Sequence, residues 1–223
     1  MSKKIHLLLA ENHGLIREAL KMIIETDPDF KVVAEAEDGI VCMEQVRAKD
    51  PDVVVLSLAM PKLNGLNTIS QLRRRHRETK IFVLTAAETP SVWQEAIELG
   101  AHGIATKHIA KKDLLAGIKQ VFEGERFISN EIKPHVANLL DADSNVKKKR
   151  NIRKLSVREK QVTKLIAEGY KTKEVAEMLE ISDRTVSKHR ENLMTKLGAT
   201  SPAEITHYAT DSGLTKVKLL EIE

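Results

Sequence analysis

The sequence is poor in aromatic residues, holds a single cysteine and contains no long apolar run. Phe, Trp and Tyr make up 3% of its 223 residues, so aliphatic side chains must fill the core. One cysteine, Cys42, excludes an internal disulfide bond and a cysteine-based zinc site, and it fits a reducing cytosol. No run of about 18 apolar residues is present, and too few apolar residues follow the start of the chain for a signal peptide. We expect a soluble cytoplasmic protein that has no contact with a membrane.

Positive charge is concentrated in the second half of the chain. Residues 147–223 hold 17 Lys and Arg against 11 Asp and Glu, whereas residues 1–146 hold 19 against 21. This asymmetry favours a polyanionic partner for the second half. The run Lys147-Lys148-Lys149-Arg150 lies in a polar stretch, residues 141–154, that we interpret as an interdomain linker. This charged run is either merely solvated or in contact with the phosphates of the partner, and the sequence does not decide between the two.

Two amphipathic helices are predicted at residues 172–179 and 183–197, with a short turn between them. This spacing is typical of a helix-turn-helix. One side of the second helix carries the apolar stripe: Val186, Leu193 and Leu197, with Arg190 at its edge. The opposite side carries Arg184, Lys188, Glu191 and Thr195. Such groups can read base edges in a major groove, although a merely solvated helix face has a similar composition. The candidate DNA-binding residues are Arg184, Ser187, Lys188, Arg190, Glu191 and Thr195.

Helix start and stop signals delimit four helices in residues 153–213. Ser156 and Glu159 form a capping box, and Ser182 is a suitable N-cap for the helix at residues 183–197. Gly198 ends that helix, and a second capping box, Ser201-Pro202-Ala203-Glu204, opens the fourth. The signals therefore agree with the helices that the apolar periodicity predicts.

Five motifs occur in order along this region: Leu155-Ser156-x-Arg158-Glu159, Ile166-Ala167-Glu168-Gly169, Glu174-Val175-Ala176, Ile181-Ser182-x-x-Thr185-Val186-x-x-His189 and Lys196-Leu197-Gly198. Together they resemble the LuxR-type DNA-binding domain over residues 153–213. The resemblance implies binding to double-stranded DNA, with Ser187, Lys188 and Glu191 approaching the bases. It also implies that the fourth helix, through Ile205 and Tyr208, pairs two subunits.

The first half of the chain alternates strand and helix patterns. Strands are predicted at residues 5–9, 32–36, 53–58, 81–84 and 103–106, and helices at residues 14–25, 39–48, 66–75, 92–99 and 112–122. Five βα units predict an α/β doubly wound five-stranded parallel sheet of the flavodoxin-like type, with a pocket at the carboxyl ends of its strands. In the first helix, we expect Leu15, Ala19 and Met22 or Ile23 to face the core.

Further motifs follow the predicted third, fourth and fifth strands: Met60-Pro61-x-Leu63-Asn64-Gly65, Thr85 and Lys107. With the order of elements they resemble the receiver domain of bacterial response regulators, and the whole chain is similar to the NarL/FixJ group. The resemblance implies a phosphoacceptor Asp at the end of the third strand and an acidic, Mg²⁺-holding pair after the first. Those positions hold Ser57, and Glu11 with Asn12, whereas the phosphate-sensing Thr85 and Lys107 remain.

The missing carboxylates predict the loss of phosphorylation chemistry. Mg²⁺ prefers hard, usually anionic oxygen ligands, and Glu11, Asn12 and Ser57 supply one negative charge. An aspartyl phosphate needs a carboxylate nucleophile, and a hydroxyl needs an adjacent base before it reacts. We therefore expect no metal, no cofactor and no phosphate transfer from a sensor kinase. Glu11 is the expected countercharge of Lys107.

The sequence thus predicts a dimeric DNA-binding transcription regulator of the bacterial nucleoid, not an enzyme, with RNA polymerase as a further partner. By analogy with receivers, the helices at residues 92–99 and 112–122 are the usual dimer faces. Two alternatives remain, namely a conventional phosphorylation-dependent regulator and an adaptor for protein binding. The predicted parts are an atypical receiver (residues 1–124), a helix and basic linker (125–152), the helix-turn-helix domain (153–213) and a tail (214–223).

Overall fold

The computed structural model describes residues 4–140 and 155–215. The chain divides into two compact units, residues 1–146 and 147–223. The predicted linker at residues 141–154 and the end of the tail lie outside the described residues.

The first unit is built on one parallel sheet. Its strands, in chain order, are β1 (Ile5–Ala10), β2 (Phe30–Ala36), β3 (Val53–Leu56), β4 (Lys80–Thr85), β5 (Gly103–Thr106) and β6 (Phe127–Ile128). They lie side by side in the order β2-β1-β3-β4-β5-β6. Apart from β6, the strands are those that the apolar runs predict, with ends that differ by up to two residues.

The predicted strand number is wrong by one, because β6 adds a sixth strand at the edge of the sheet. This strand has two residues, and it pairs in parallel with β5 through Gly103 with Phe127 and Ile104 with Ile128. A two-residue strand is too short to produce an apolar alternation that a sequence pattern could reveal. It extends the first unit beyond the five repeated βα units.

Helices connect the strands and cover both faces of the sheet, as a right-handed parallel βα arrangement requires. The connecting helices are α1 (Gly14–Ile24), α2 (Gly39–Lys49), α3 (Gly65–Arg75), α4 (Pro90–Glu98) and α5 (Lys111–Phe122), and α6 (Lys133–Leu140) follows β6. The central strand β3 has four buried residues, which fits its continuous apolar run. It ends at Leu56, so Ser57 is the first residue of the following loop.

The prediction of which side of helix α1 faces the core is confirmed for Ile23 and wrong for Leu15, Ala19 and Met22. Leu15 and Met22 are 81% and 74% exposed, and Ala19 is exposed as well. Ile24 is fully buried instead, and Ile23 packs partly buried against the core. Apolar residues occupy most of the circumference of α1, so periodicity alone does not fix which side is buried. The result is an exposed apolar stripe on α1.

The second unit is a bundle of four helices: α7 (Val157–Ala167), α8 (Thr172–Met178), α9 (Asp183–Leu197) and α10 (Pro202–Asp211). The predicted caps are present: Ser182 Oγ accepts a hydrogen bond from Thr185 N over 3.2 Å, and Gly198 ends α9 with φ +65°. The Ser156 and Glu159 capping box opens α7.

Two residues of α10 do not have the role that the resemblance implied. Ile205 and Tyr208 are 1% and 3% exposed and belong to the core of their own unit. A side chain that is buried inside one unit offers little surface for pairing two subunits. The expectation that these two residues form a dimer surface is therefore wrong.

Within residues 4–140 and 155–215, none of the helices has the length and apolar character that crossing a membrane requires.

Candidate nucleic-acid interface and sheet-edge pocket

Helix α9 buries one stripe and exposes the residues that were predicted opposite to it. Val186 and Leu193 are fully buried and fix the helix against its own unit. Arg184, Ser187, Lys188, Glu191 and Thr195 are all exposed. An exposed polar helix that follows a short turn is the arrangement in which a recognition helix meets a major groove.

Two of the exposed residues on α9 pair with each other. The Lys188 ammonium nitrogen lies 3.3 Å from Glu191 Oε2, and both side chains are 70% exposed. Thr195 donates its hydroxyl hydrogen to the backbone oxygen of Glu191 over 3.0 Å, so this hydroxyl is turned towards its own helix. Lys188 and Glu191 therefore present the charged groups at the middle of the exposed face.

Arg190 lies apart from this face, at the edge of the buried stripe. Its Nη1 donates to Thr172 Oγ1 of α8 over 3.1 Å, and its side chain is partly buried. The guanidinium therefore connects α9 to the first turn of α8. This contact suits a residue that positions α9 better than one that reads a base.

A buried ion pair holds the far end of α9. The Lys196 ammonium lies 2.6 Å from both carboxylate oxygens of Glu159, and Glu159 is 4% exposed. Burial raises the pKa of Glu159, but the hydrogen bond from Lys196 and the backbone N–H of Ser156 outweigh burial, and the pKa lies below its usual value. Glu159 was expected only as a capping residue.

The turn between α8 and α9 has its own tie to α7. Arg158 of α7 donates to the backbone oxygen of Leu179 at the end of α8. The Arg158-Glu159 dipeptide of the sequence motif thus has two separate structural roles. The Arg158 side chain fixes the turn, and the Glu159 side chain holds α9 through Lys196.

In the first unit, the carboxyl ends of four neighbouring strands bring the predicted pocket residues together. Glu11 and Asn12 follow β1, Ser57 follows β3, Thr85 ends β4 and Lys107 follows β5. The sheet order β1-β3-β4-β5 makes these ends adjacent. Glu11, Ser57 and Thr85 are 2%, 5% and 2% exposed.

The Glu11 carboxylate is saturated by protein donors. Lys107 Nζ lies 2.6 Å from Oε2. The backbone N–H of His13 donates to Oε1 over 3.0 Å, and His13 Nδ1 lies 2.8 Å from the same oxygen. In the amide orientation that satisfies its hydrogen bonds, Asn12 donates to Oε1 over 3.0 Å and to Ala59 O over 2.8 Å.

The charge of Glu11 is stabilised although the group is buried. Burial raises the pKa of Glu11, but the hydrogen bond and charge of Lys107, together with the hydrogen bonds from His13, outweigh it and hold the pKa below its ordinary value of 4.5. The expected pairing of Glu11 with Lys107 is present. A metal ion in this pocket would have to displace the Lys107 ammonium.

The pocket residues do not form a good magnesium site. Within the described parts of the chain there is no cluster of three His, Cys, Asp or Glu side chains that could hold a metal ion. Glu11 is the one anionic group among Glu11, Asn12 and Ser57, and its oxygens already accept hydrogen bonds from Lys107 and His13. Mg²⁺ favours an octahedron of oxygen ligands, usually including carboxylates that are available to bind it. Because the one carboxylate here is already hydrogen-bonded, these residues do not fit the ion.

The Thr85 hydroxyl is bound within its own loop. Its oxygen accepts a hydrogen bond from the backbone N–H of Ala87 over 2.9 Å. The Ala87 carbonyl accepts from Trp93 Nε1 over 2.8 Å. These contacts tie the end of β4 to α4.

Charged residues outside the predicted site also fix the loops around the pocket. Arg17 donates to the backbone oxygen of Glu11 over 2.7 Å. Lys62 lies 2.6 Å from Asp38 Oδ2, and Asp38 is the 1% exposed N-cap of α2. Burial raises the pKa of Asp38, but the hydrogen bonds from Lys62 and from backbone N–H groups outweigh burial, and the pKa lies below its usual value. No sequence pattern singled out these three side chains.

A parallel sheet with a polar pocket at its carboxyl edge, followed by a helix-turn-helix unit, defines the class of two-domain response regulators. Residues 7–119 match the response regulator receiver domain, and residues 153–209 match the luxR family of bacterial regulatory proteins. The chain belongs to the response regulators that carry a LuxR-type DNA-binding domain, the NarL/FixJ family. Both resemblances predicted from the sequence are confirmed.

Two of three known proteins with a similar sequence or fold match the chain over nearly its whole length, and the third matches over 62% of it. The oxygen regulatory protein NreC of Staphylococcus aureus (strain JH9) is 33% identical over 96% of this chain and 99% of its own. A LuxR-family response regulator from Aurantimonas is 28% identical with a TM-score of 0.59, over 62% of this chain and 99% of its own. The structure of RcsB dimers bound to DNA shares the fold, with 24% identity and a TM-score of 0.65 over 96% and 100% of the two chains.

Proposed function

We propose that this response regulator is a dimeric transcription regulator that works without phosphorylation of its receiver. The second unit inserts α9 into the major groove of double-stranded DNA. Ser187, Lys188 and Glu191 face the bases, Arg184 and Thr195 flank them, and Arg190 sets the position of α9 against α8. The observation that supports DNA reading most strongly is the exposed polar face of α9 opposite a fully buried stripe.

The pocket supports independence from aspartyl phosphate. A hydroxyl at Ser57 replaces the carboxylate nucleophile of receivers, and a hydroxyl needs an adjacent base before it reacts. The Lys107 ammonium, which receivers use for phosphate, is already neutralised by the Glu11 carboxylate 2.6 Å away. The Glu11–Lys107 ion pair therefore occupies the charges that a phosphoryl group and its Mg²⁺ would need. A sensor kinase is not a partner under this proposal, and neither a metal nor a cofactor is required.

The test is exposure of the intact protein to a small phosphodonor such as acetyl phosphate in the presence of Mg²⁺. Intact-mass spectrometry should show an unmodified chain, and DNA affinity should be the same before and after treatment. One phosphoryl group added to Ser57 would contradict the proposal and favour the conventional phosphorylation-dependent regulator.

A different experiment separates a DNA-binding regulator from a protein-binding adaptor. Neutralisation of phosphates by Lys and Arg releases counterions, so the logarithm of affinity falls linearly with the logarithm of salt concentration. We expect the full chain to show this steep salt dependence on duplex DNA. A salt-insensitive and weak interaction would favour the adaptor.

Dimerisation through the receiver is also proposed, and the exposed stripe of α1 offers a better surface than α4. Helix α4 is partly covered within its own unit, because Gln94 donates to the backbone oxygen of His135 over 2.8 Å and Trp93 contacts the His135 ring. On α1, Leu15 and Met22 are largely exposed. RcsB binds DNA as dimers, which supports pairing of the related chain. Two subunits would meet half-sites about 34 Å apart or a multiple of that distance.

We place this activity in the bacterial cytoplasm at the nucleoid, with RNA polymerase as the partner that converts DNA binding into a change of transcription. The proposed regulator carries out no chemical reaction of its own. The predicted division into receiver (1–124), linker (125–152), DNA-binding domain (153–213) and tail (214–223) is retained as part of the proposal.

A further inference from the structure

Glu191 places a negative charge in the middle of the face that meets DNA under the proposed function. Its only ion-pair partner within residues 155–215 is Lys188, at 3.3 Å, and both side chains are 70% exposed. Exposed pairs of this kind contribute little to folding stability. The pair is therefore easily opened, and stability does not explain why a carboxylate stands there.

The chemistry of DNA restricts what this carboxylate can bind. An ionised carboxylate only accepts hydrogen bonds, and phosphate groups repel it and offer no donor. In the major groove, the donors are the amino groups of cytosine (N4) and adenine (N6). Glu191 is thus satisfied by one of these two bases, or it weakens binding wherever neither base is opposite.

Cytosine suits a carboxylate better than adenine does. The adenine amino group lies beside the N7 acceptor, which is why amide side chains, with one donor and one acceptor, read adenine. An ionised carboxylate has no hydrogen to donate to N7, so its oxygen would be repelled by the lone pair of the N7 atom. Cytosine presents its amino donor without such an adjacent acceptor.

Lys188 supplies the complementary half of this pattern. Its ammonium group donates to the O6 and N7 acceptors of guanine. The two charged groups are 3.3 Å apart, and successive bases along a strand are about 3.4 Å apart. The two side chains are neighbours on the exposed face of α9, so that once their pair opens both heads can reach bases that are close together in the groove.

We propose that Glu191 selects a cytosine in each half-site, with Lys188 bound to a guanine beside it. On binding, the internal Lys188–Glu191 pair is exchanged for these two base contacts. The inference rests on the proposed DNA-binding function, and it adds the identity of the base that the carboxylate requires.

To test this, DNA sites that bind the full-length protein are selected from a pool of random double-stranded DNA. The wild-type protein, Glu191→Gln and Glu191→Ala are compared at one fixed salt concentration. The wild-type sites should share a cytosine that the glutamine variant replaces with adenine, because an amide reads adenine N6 and N7. The alanine variant should lose the preference at that position only.

Direct titration then measures the change on matched duplexes. Replacement of the selected cytosine should lower wild-type affinity about tenfold or more, and the same replacement should barely affect the alanine variant. Glu177→Gln is the matched control, because it removes one exposed negative charge from α8. It should leave the selected sequence unchanged.

The outcomes separate this inference from the proposed function. If all four proteins select the same sequence, Glu191 has no role in choosing bases and the inference is wrong, while DNA binding stands. If the wild-type protein selects no sequence and binds duplex DNA no better at low salt than at high salt, the proposed function is wrong and the inference falls with it.

Discussion

The ammonium nitrogen of Lys107 and a carboxylate oxygen of Glu11 lie 2.6 Å apart, at the ends of two strands that are 96 residues apart in the chain. The Glu11 side chain is 2% exposed, whereas the Lys107 side chain is 20% exposed. A pair of this kind gains its stability from mutual compensation, since removing one partner leaves the other buried without a countercharge. The pocket is thus closed by an internal salt bridge.

Lys107→Met should destabilise the first unit by about 2 to 3 kcal/mol at pH 7, because it leaves the Glu11 carboxylate buried and unpaired. Urea unfolding of the wild-type and variant proteins measures the difference. Lys112→Met, at an exposed position on α5 that forms no ion pair within the described residues, is the matched control and should change stability by less than about 0.5 kcal/mol.

The same pair predicts the direction of a pH effect. The pKa of Glu11 is held below its ordinary value of 4.5, so the pair's contribution to stability is complete above pH 4.5. It is lost as the pH falls through the lowered pKa, where the folded protein must take up a proton. The gap between wild type and Lys107→Met should therefore shrink below pH 4.5, and a gap that widens in acid would contradict this assignment.

Ser57→Asp alone should not create a magnesium site. Glu11 stays paired with Lys107, and Asn12 remains neutral, so the variant adds one free charge where Mg²⁺ requires several anionic oxygens. The double variant Asn12→Asp with Ser57→Asp should bind Mg²⁺ measurably. Trp93, the single tryptophan, bonds the loop after Thr85 and is a fluorescence probe. Equal affinity in the single and double variants would show that Asn12 does not limit binding.

Local signals in the sequence predicted the element ends well. Strand β5 has its predicted bounds, Gly103–Thr106, and Ser182 and Gly198 bound α9 as capping chemistry requires. These signals act within a few residues, so the sequence contains them in full. The five pocket residues, Glu11, Asn12, Ser57, Thr85 and Lys107, were identified through the resemblance to receiver domains, and the parallel strands bring them to one edge of the sheet.

Features that depend on distant partners were not predictable. Helix α1 has apolar residues on more than one side, and the side that is buried is the one that packs against the sheet. The sequence alone does not show which side that is. Glu159 and Lys196 are 37 residues apart, and no periodicity connects them. The sequence placed Arg190 at the edge of the apolar stripe of α9. Its hydrogen bond with Thr172 could not be predicted, because it depends on how α8 and α9 cross.

Lys188→Ala should reduce specific DNA binding by about 1 to 3 kcal/mol and relax the preference at one position, because it would remove the contact that we propose with a guanine edge. Titration of specific and scrambled duplexes at equal salt measures both effects. Lys173→Ala removes an exposed lysine from α8 and should at most weaken binding to all sequences alike. A uniform loss with Lys188→Ala would instead assign this lysine to the phosphate backbone.

Leu15→Glu with Met22→Glu should convert the proposed dimer to monomer. The two side chains are 81% and 74% exposed in the single chain, so the substitutions cost little in the monomer. Glutamates facing each other across a symmetric interface would be buried and repel. Sedimentation equilibrium should show at least about tenfold weaker association. Ile40→Glu, at a 47% exposed apolar residue of α2, is the control, and dimers that survive the α1 substitutions would exclude this surface.

Glu180→Gly should stabilise the second unit, because Glu180 occupies the turn between α8 and α9 with φ +53°. A side chain in the left-handed region costs about 1 kcal/mol, and glycine adopts this conformation without the steric penalty. No described contact of the Glu180 side chain would be lost, so we expect a gain of about 1 kcal/mol, or several degrees in Tm for a unit of this size. Glu177→Gly, inside α8, makes the same chemical change at helical φ and should cost about 1 kcal/mol. Calorimetry of both variants decides the matter: if Glu180→Gly melts below the wild type, the turn is held by its glutamate and is not strained.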